Sequence, residues 1–467
     1  MLFESAETTI LFWLVVGLLA FLGTLTHLIK STRGTLGFPI AFLLALLIMH
    51  CGAVAHLASG YFHQYNPFLY SLGYTKESVA LGLQVSAIGF VSMAAGIFCT
   101  SYFGQQDRLE FDARHYPARF LRLAERSMLI IGGFFFFAVL ILPSLGAIPT
   151  IGAVVTSSRN LLPVALCFAI LRRVWLREGM QLWQIGAIAS VIPLANLIGT
   201  AILADAVAII IFIACFWLAI TGRRFGMGRI ILAMAAGSYV FLFLAINYLL
   251  VRDEFRDIVW EPTSTYSERV DGLGAALMRF TPLSSDDEDQ LFALDARLNQ
   301  SLFTGMAVEK LELQPDTYEN GATLAAGLFA FVPRLIWTDK PVRGGSEFLT
   351  KHTGYPASKD TTYGIGPYFE SYVNYGLTGV ILFGFLFAAL VRWIDLRCYR
   401  AMVTGRMTEA VPLAIGALAL VQPLSTFAST FSTFYASLII GFLAAKMLER
   451  YLDISLFAES QARSRVT

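Results

Sequence analysis

Charge is what this sequence has least of. Only 14% of its 467 residues are Asp, Glu, Lys or Arg, against about a quarter in ordinary soluble domains. That argues against a cytosolic enzyme. The 34 cations and 33 anions nearly cancel, so there is no global basic field of the kind that gathers nucleic acid. Cysteine is scarce as well. Cys51, Cys99, Cys167, Cys215 and Cys398 lie in or beside apolar runs, without a CxxC pair and with an odd total. A disulfide framework and a thiolate metal site are therefore not expected, and these residues read as small core groups. No fixed-period repeat or low-complexity tract occurs. What the chain has instead is 56% hydrophobic residues, enough to argue against disorder and for a polytopic membrane protein.

Apolar runs of about 20 residues are the signal of a membrane-spanning helix. Eleven are present, at 9–29, 36–59, 79–102, 128–145, 151–171, 182–199, 201–221, 229–250, 372–394, 410–427 and 429–448. The first is preceded by Glu4 and Glu7 rather than by cations, with no small-residue cleavage site after it. It reads as a retained signal anchor. Six Lys/Arg clusters, at 30–33, 108–126, 172–177, 223–229, 392–406 and 446–465, hold 21 of the 34 cations. They are separated by even numbers of spans, so one face carries them all. The positive-inside rule makes that face cytoplasmic, with the N-terminus outside and the C-terminus inside.

The expected architecture is an all-α polytopic membrane protein. It has an N-terminal bundle of about eight spans (1–250), a periplasmic segment (251–365), three further spans (366–450) and a cytoplasmic tail (451–467). The segment 251–365 holds 11 Lys/Arg and 18 of the 33 Asp/Glu, more than half of the chain's carboxylates. Within it, Ser284 to Glu288 reads as a helix start with acids in the first turn. Leu291, Leu294, Leu298, Leu302 and Gly305 then follow helical spacing and place Arg297 beside an apolar seam. The apolar run 321–332 stops at Pro333-Arg334. A crossing there would invert everything after it, so 321–337 reads as a re-entrant or interfacial helix.

Three cations follow within ten positions: Arg334, Lys340 and Arg343, between Pro333 and Pro341 and before Gly344-Gly345. Guanidinium forks, a Lys point charge and glycines that permit close backbone approach are what diphosphate binding needs. A snorkelling set at a membrane edge, with Trp337 as a belt residue, fits the same residues. Glu370 lies at the start of the ninth run, with Asn374 one turn on and on the same face. It reads either as a dipole-stabilised carboxylate or as one that binds sugar hydroxyls or takes a proton. His352, beside Lys351, is the second candidate base, because a neighbouring cation favours neutral imidazole. His27, His50 and His56 read as helix-packing or interface residues. Asp205 is a functional candidate by its depth, either paired with Arg159 or wetted at the interface. Pro193 and Asn196 suggest a broken helix.

The stretch from Pro333 to Gly379 resembles the bacterial oligosaccharide repeat-unit polymerases, the O-antigen polymerase (Wzy) superfamily. The carrying features are Pro-Arg-x-x-Trp-x-x-Lys-Pro at 333–341, Arg334 spaced by ten residues from Gly345, and Glu370-x-x-x-Asn374-x-Gly376. An earlier loop lacks the second Arg-x10-Gly often cited for these proteins: Arg297 is followed too soon by Gly305, and Arg159 only by Gly179.

The resemblance implies glycosyl transfer at the periplasmic face of the bacterial inner membrane. A growing glycan would leave undecaprenyl diphosphate and join an incoming lipid-linked repeat unit. The donor and acceptor lipids and the surrounding membrane are the implied partners, with room for a chain-length regulator and no nucleic acid. Arg297, Arg334, Lys340 and Arg343 would receive the diphosphate, with Arg159, Arg279, Tyr363 and Asn374 completing the substrate-binding set. Glu370 or His352 would be catalytic. No cofactor and no metal are expected, since fixed cations can stabilise a diphosphate leaving group and no ligand cluster is spaced for a metal. A ligase using the same donor is the alternative reading. A dolichol-type transferase fits less well, because residues 63–76 hold no acid. A transporter or flippase would show inverted repeats and mid-membrane charge, and neither is evident.

Overall fold

The computed structural model describes residues 5–31, 34–58, 61, 74–103, 118–142, 154–155, 157–201, 204–261, 263–332, 337, 345–357 and 364–464. Among these the chain is helical throughout, as its apolar periodicity predicts. Helix α1 (Ala6–Lys30) starts at Ser5, whose hydroxyl accepts the Thr8 amide, an ordinary N-cap. Gly37, at φ +87°, turns the chain into α2 (Phe38–Ile48). A Cβ there would lie 2.3 Å from the Cys215 carbonyl oxygen, so only glycine fits. A 3₁₀ segment (Cys51–Leu57) extends α2. Next come α3 (Lys76–Phe103), α4 (Ala118–Ile141), α5 (Leu161–Trp175), α6 (Leu182–Thr200), α7 (Ala204–Thr221) and α8 (Met227–Trp260).

Shorter helices follow: α9 (Tyr266–Met278), α10 (Glu288–Leu298), α11 (Gln300–Leu313), α12 (Ala322–Leu328) and α13 (Ser346–Thr353). The chain closes with α14 (Gly366–Val403), α15 (Met407–Leu420) and α16 (Phe427–Ser464).

Among the described residues seven helices are long and apolar enough to cross a membrane, those beginning at Ala6, Phe38, Lys76, Leu182, Met227, Gly366 and Phe427. Val207–Thr221 and Met407–Leu420 are apolar but shorter. Helices α4 and α5 occupy the places of the fourth and fifth predicted runs. The tenth run ends early, at Leu420, because a turn at Gln422–Ser425 containing Pro423 interrupts it before α16. Pro193 does not break α6, which runs through it.

The main hydrophobic core is built from α2, α3, α5, α14 and α15. Helix α14 is itself broken: Tyr375 (φ −144°) and Gly376 (φ +58°, ψ −151°) are non-helical. Its first half, through Asn374, is buried on every face. At the far end of α14, Arg392 and Asp395 are wholly buried and ion-paired. Asp395 accepts the Thr35 hydroxyl and the Leu36 amide, both at 2.8 Å, and Arg392 donates to Ser101 and to the Gly34 carbonyl. Arg392 thus ties three chain segments together rather than joining the exposed cations near it in sequence.

The segment after α8 packs into this bundle. The Gln300 amide donates to the Met49 carbonyl at 2.9 Å, and Leu302 and Met306 share a core with Ile10, Val79 and Leu83. Two expectations are corrected here. The seam from Leu291 to Gly305 is not one helix, because Asn299 (φ −121°, ψ 75°) separates α10 from α11. The helix of the eighth run does not stop where the apolar run stops at Leu250: α8 continues unbroken to Trp260. Helix α12 has seven residues, about 10 Å of helix, far short of a bilayer. It lies against α16, where the Tyr435 hydroxyl donates to the Leu328 carbonyl.

Candidate functional site

Continuation of α8 builds the most distinctive feature of the molecule. Tyr248, Val251, Phe255 and Val259 are buried at spacings of three and four, so the apolar face of α8 outlasts its apolar run. The Tyr248 hydroxyl donates to the Ala201 carbonyl at 2.7 Å. Asn247 exchanges two bonds with the Thr281 backbone. Held this way, α8 presents Arg252 and Arg256 on successive turns to a cavity of about 260 Å³. Arg297, from the last turn of α10, lines the same cavity, together with the turn at Gln422–Ser425. The remaining wall is apolar: Ile48 and Met49 from α2, Ala208 and Ile211 from α7, Phe241 and Ala245 from α8.

Three guanidinium groups thus border one apolar cavity. Arg252 is paired with the exposed carboxylate of Asp253 at 2.8 Å, and Arg256 lies over the Trp260 ring at 4.9 Å. The Arg256 Nε is buried without a hydrogen-bond partner among the described residues. Arg252 already has Asp253 as its partner, and an anion entering the chamber would be attracted by all three cations at its edge. An anionic head on an apolar tail satisfies both halves of such a chamber, and guanidinium forks suit phosphate oxygens in particular.

The position of Arg297 is fixed from behind. Two residues before it, Asp295 is buried and accepts from His56 Nε2 (2.9 Å), Asn299 (2.6 Å), Tyr74 (2.7 Å) and Tyr61 (3.3 Å). His50 bonds Ser301 at 2.8 Å. The helix-packing role expected for His50 and His56 is what these contacts provide: both pin α10 and α11 to the end of α2.

A second polar assembly surrounds the first half of α14. The Glu370 carboxylate accepts the Phe427 amide at 2.7 Å, at the start of α16. Asn374 donates to the Glu370 carbonyl and to Thr323, and accepts the Gly321 amide. Glu370 and Asn374 therefore join α14 to α12 and α16, and neither lines the cavity. Nearby, the Glu319 amide donates to the Val373 carbonyl, and its carboxylate receives Lys351 and His352 Nε2, the latter at 2.8 Å. His352 is fully buried, unlike an ordinary loop histidine. Burial holds its imidazole below the usual pKa, opposed by Glu319, with Lys351 a lesser influence. Burial raises the Glu319 carboxyl, but the hydrogen bonds from Lys351 and His352 outweigh it and hold the group below its ordinary value.

Of the substrate-binding residues expected from sequence that are among the described residues, Arg297 alone lies on the cavity. Arg279 is exposed and paired with Glu254 at 2.6 Å. Arg159 is half-buried, two residues after Ser157, which meets Ser437 of α16 at 3.4 Å. Arg334, Lys340, Arg343, Tyr363 and the Asp205 side chain lie outside the described residues. Sequence reasoning missed Arg252, Arg256 and Glu319. The chain matches no protein-family model, no curated protein and no solved structure.

Proposed function

We propose that the chain is a glycosyltransferase of the bacterial inner membrane, with eleven spans and its charged segment 251–365 in the periplasm. It polymerises oligosaccharide repeat units carried on undecaprenyl diphosphate. The observation that carries this reading is the apolar cavity bordered by Arg252, Arg256 and Arg297, which suits an isoprenyl tail next to a diphosphate. In the reaction the acceptor hydroxyl attacks the donor's anomeric carbon. The bond from that carbon to the diphosphate oxygen breaks with its electron pair leaving on that oxygen, a glycosidic bond forms, and the hydroxyl proton passes to water or to the departing diphosphate. The developing diphosphate charge falls to fixed cations, Arg252, Arg256 and Arg297 with Arg334, Lys340 and Arg343 from the Pro-Arg motif. Such a cation set replaces solvent around the leaving group without needing to reorganise.

Proteoliposomes charged with a lipid-diphosphate-linked repeat unit test the reading. Wild type is expected to give a ladder of products. Arg256→Ala and Arg334→Ala should each lower the rate by roughly tenfold to a hundredfold, the loss of one charge-assisted contact of about 1.5–3 kcal/mol. Arg279→Ala should leave the ladder intact. A ladder insensitive to Arg256→Ala would remove the cavity from the mechanism. Transfer only to an added lipid A-core acceptor, with no ladder, would assign a ligase instead.

A further inference from the structure

A second cation-bearing cavity lies at the other end of α14. Its residues lie near Asp395, which bonds Leu36 just before α2. The cavity bordered by Arg297 adjoins Ile48 and Met49 at the other end of α2, and the two share no lining residue. The second cavity has a volume of about 730 Å³, between the end of α3, the end of α14 and the start of α15. Phe103, Phe385 and Leu396 form an apolar side, and Arg397, Arg400 and Arg406 form the other. One carboxylate, Glu409, also lines it and bonds Arg397 at 2.6 Å and Arg406 at 2.8 Å. Arg397 also lies over the Trp393 ring at 5.3 Å. Arg400 forms no ion pair among the described residues.

Among the described lining residues three cations face one anion, a net charge of two positive. Glu409 and Trp393 hold two of the guanidinium groups in fixed positions instead of leaving them to snorkel independently. Fixed guanidinium forks with spare donors match phosphate oxygens. The apolar side, formed by helices that also present exposed Leu382 and Leu386, suits the tail of an amphiphile. We propose that this cavity binds a phosphate group, with a phospholipid headgroup the source that its apolar side favours. The site is independent of the glycosyl-transfer reading, since it lies at the opposite end of the bundle and uses none of the same residues.

Trp393 supplies the probe. Full-length protein in nanodiscs containing a minor fraction of brominated phosphatidylglycerol is compared with protein in discs containing equal brominated phosphatidylcholine. The Trp393 contribution is the difference between wild type and Trp393→Phe. The expected result is stronger Trp393-dependent quenching by the anionic lipid, with the excess at least halved in Arg400→Ala. The excess should persist in Arg224→Ala, a charge-matched change at an exposed position off the cavity. If inorganic pyrophosphate relieves the excess, or shifts Trp393 emission in discs without anionic lipid, soluble phosphates also occupy the site. Equal quenching by the two lipids with no response to pyrophosphate would overturn the proposal. So would equal losses in Arg224→Ala and Arg400→Ala, because the lipid would then be following only the general field of that surface.

Discussion

Burial holds the His352 imidazole neutral more firmly than its neighbour Lys351 does, and the consequence is a pH dependence of known sign. The folded protein resists protonating a group that titrates near 6.5 when unfolded, so the unfolded chain binds the extra proton. Stability is then full above about pH 6.5 and falls as pH drops below it. The Glu319 carboxylate, held low by its two donors, adds stability that is lost only below about pH 4.3. Apparent Tm should therefore fall between pH 7.5 and 5.5 in wild type and fall less in His352→Gln. Parallel curves would mean that His352 is not the group responsible. Glu370 allows a sharper distinction. As the acceptor for the buried Phe427 amide, it should cost about 1–3 kcal/mol when truncated to Ala. Glu370→Gln retains an acceptor oxygen and should keep most of both stability and polymerisation. Loss of turnover in Glu370→Gln at unchanged Tm would instead show the carboxylate acting as a base.

The crossing of α3 and α11 has no room for side chains. A Cβ on Gly305 would lie 1.7 Å from the Ser78 carbonyl oxygen, and one on Gly82 would lie 1.8 Å from that of Ser301. Helix propensity alone favours Gly→Ala by about 1 kcal/mol, so the predicted effect has the opposite sign. Gly305→Ala should lower apparent Tm by several degrees or prevent a monodisperse preparation. Gly274→Ala on α9, with nothing near its added methyl, should be neutral or slightly stabilising. Equal behaviour of the two variants would contradict the tight crossing. Such contacts explain what could be read in advance. Local signals placed most helices, the helix start within Ser284–Glu288 and the core role of Cys167, Cys215 and Cys398, while Cys51 and Cys99 are only half-buried. They did not reveal the break at Asn299, which goes with a distant partner: the Gln300 amide turns away to the Met49 carbonyl. Arg252 and Arg256 were legible in principle. The stripe of Tyr248, Val251, Phe255 and Val259 carries helical phase beyond Leu250, but hydropathy counting stops where the apolar run stops. Glu319 lies in irregular chain between α11 and α12, and only folding brings it to His352.

Across the whole molecule charge and fold divide along the same line. The cavity bordered by Arg252, Arg256 and Arg297 adjoins the end of α2 at Ile48–Met49. The other end of α2 begins beside Asp395, near Arg397, Arg400 and Arg406. The charged segment 251–365 thus packs at one end of α2, and a cation cluster counted as cytoplasmic lies toward the other. If the positive-inside rule governs insertion, these two ends face opposite sides of the bilayer, as a transferase using exported lipid-linked glycans requires. Single cysteines report this directly in cells, with Cys51 and Cys99 replaced by Ser and the three buried cysteines retained. Ser285→Cys, exposed ahead of α10, should react with a membrane-impermeant maleimide in spheroplasts. Thr404→Cys, exposed after α14, should react only after permeabilisation. Labelling of both from outside would contradict the single span, at 372–394, counted between them. The reverse pattern would place the Arg252–Arg256–Arg297 cavity at the cytoplasmic leaflet, and the donor would then have to be one that has not yet been exported.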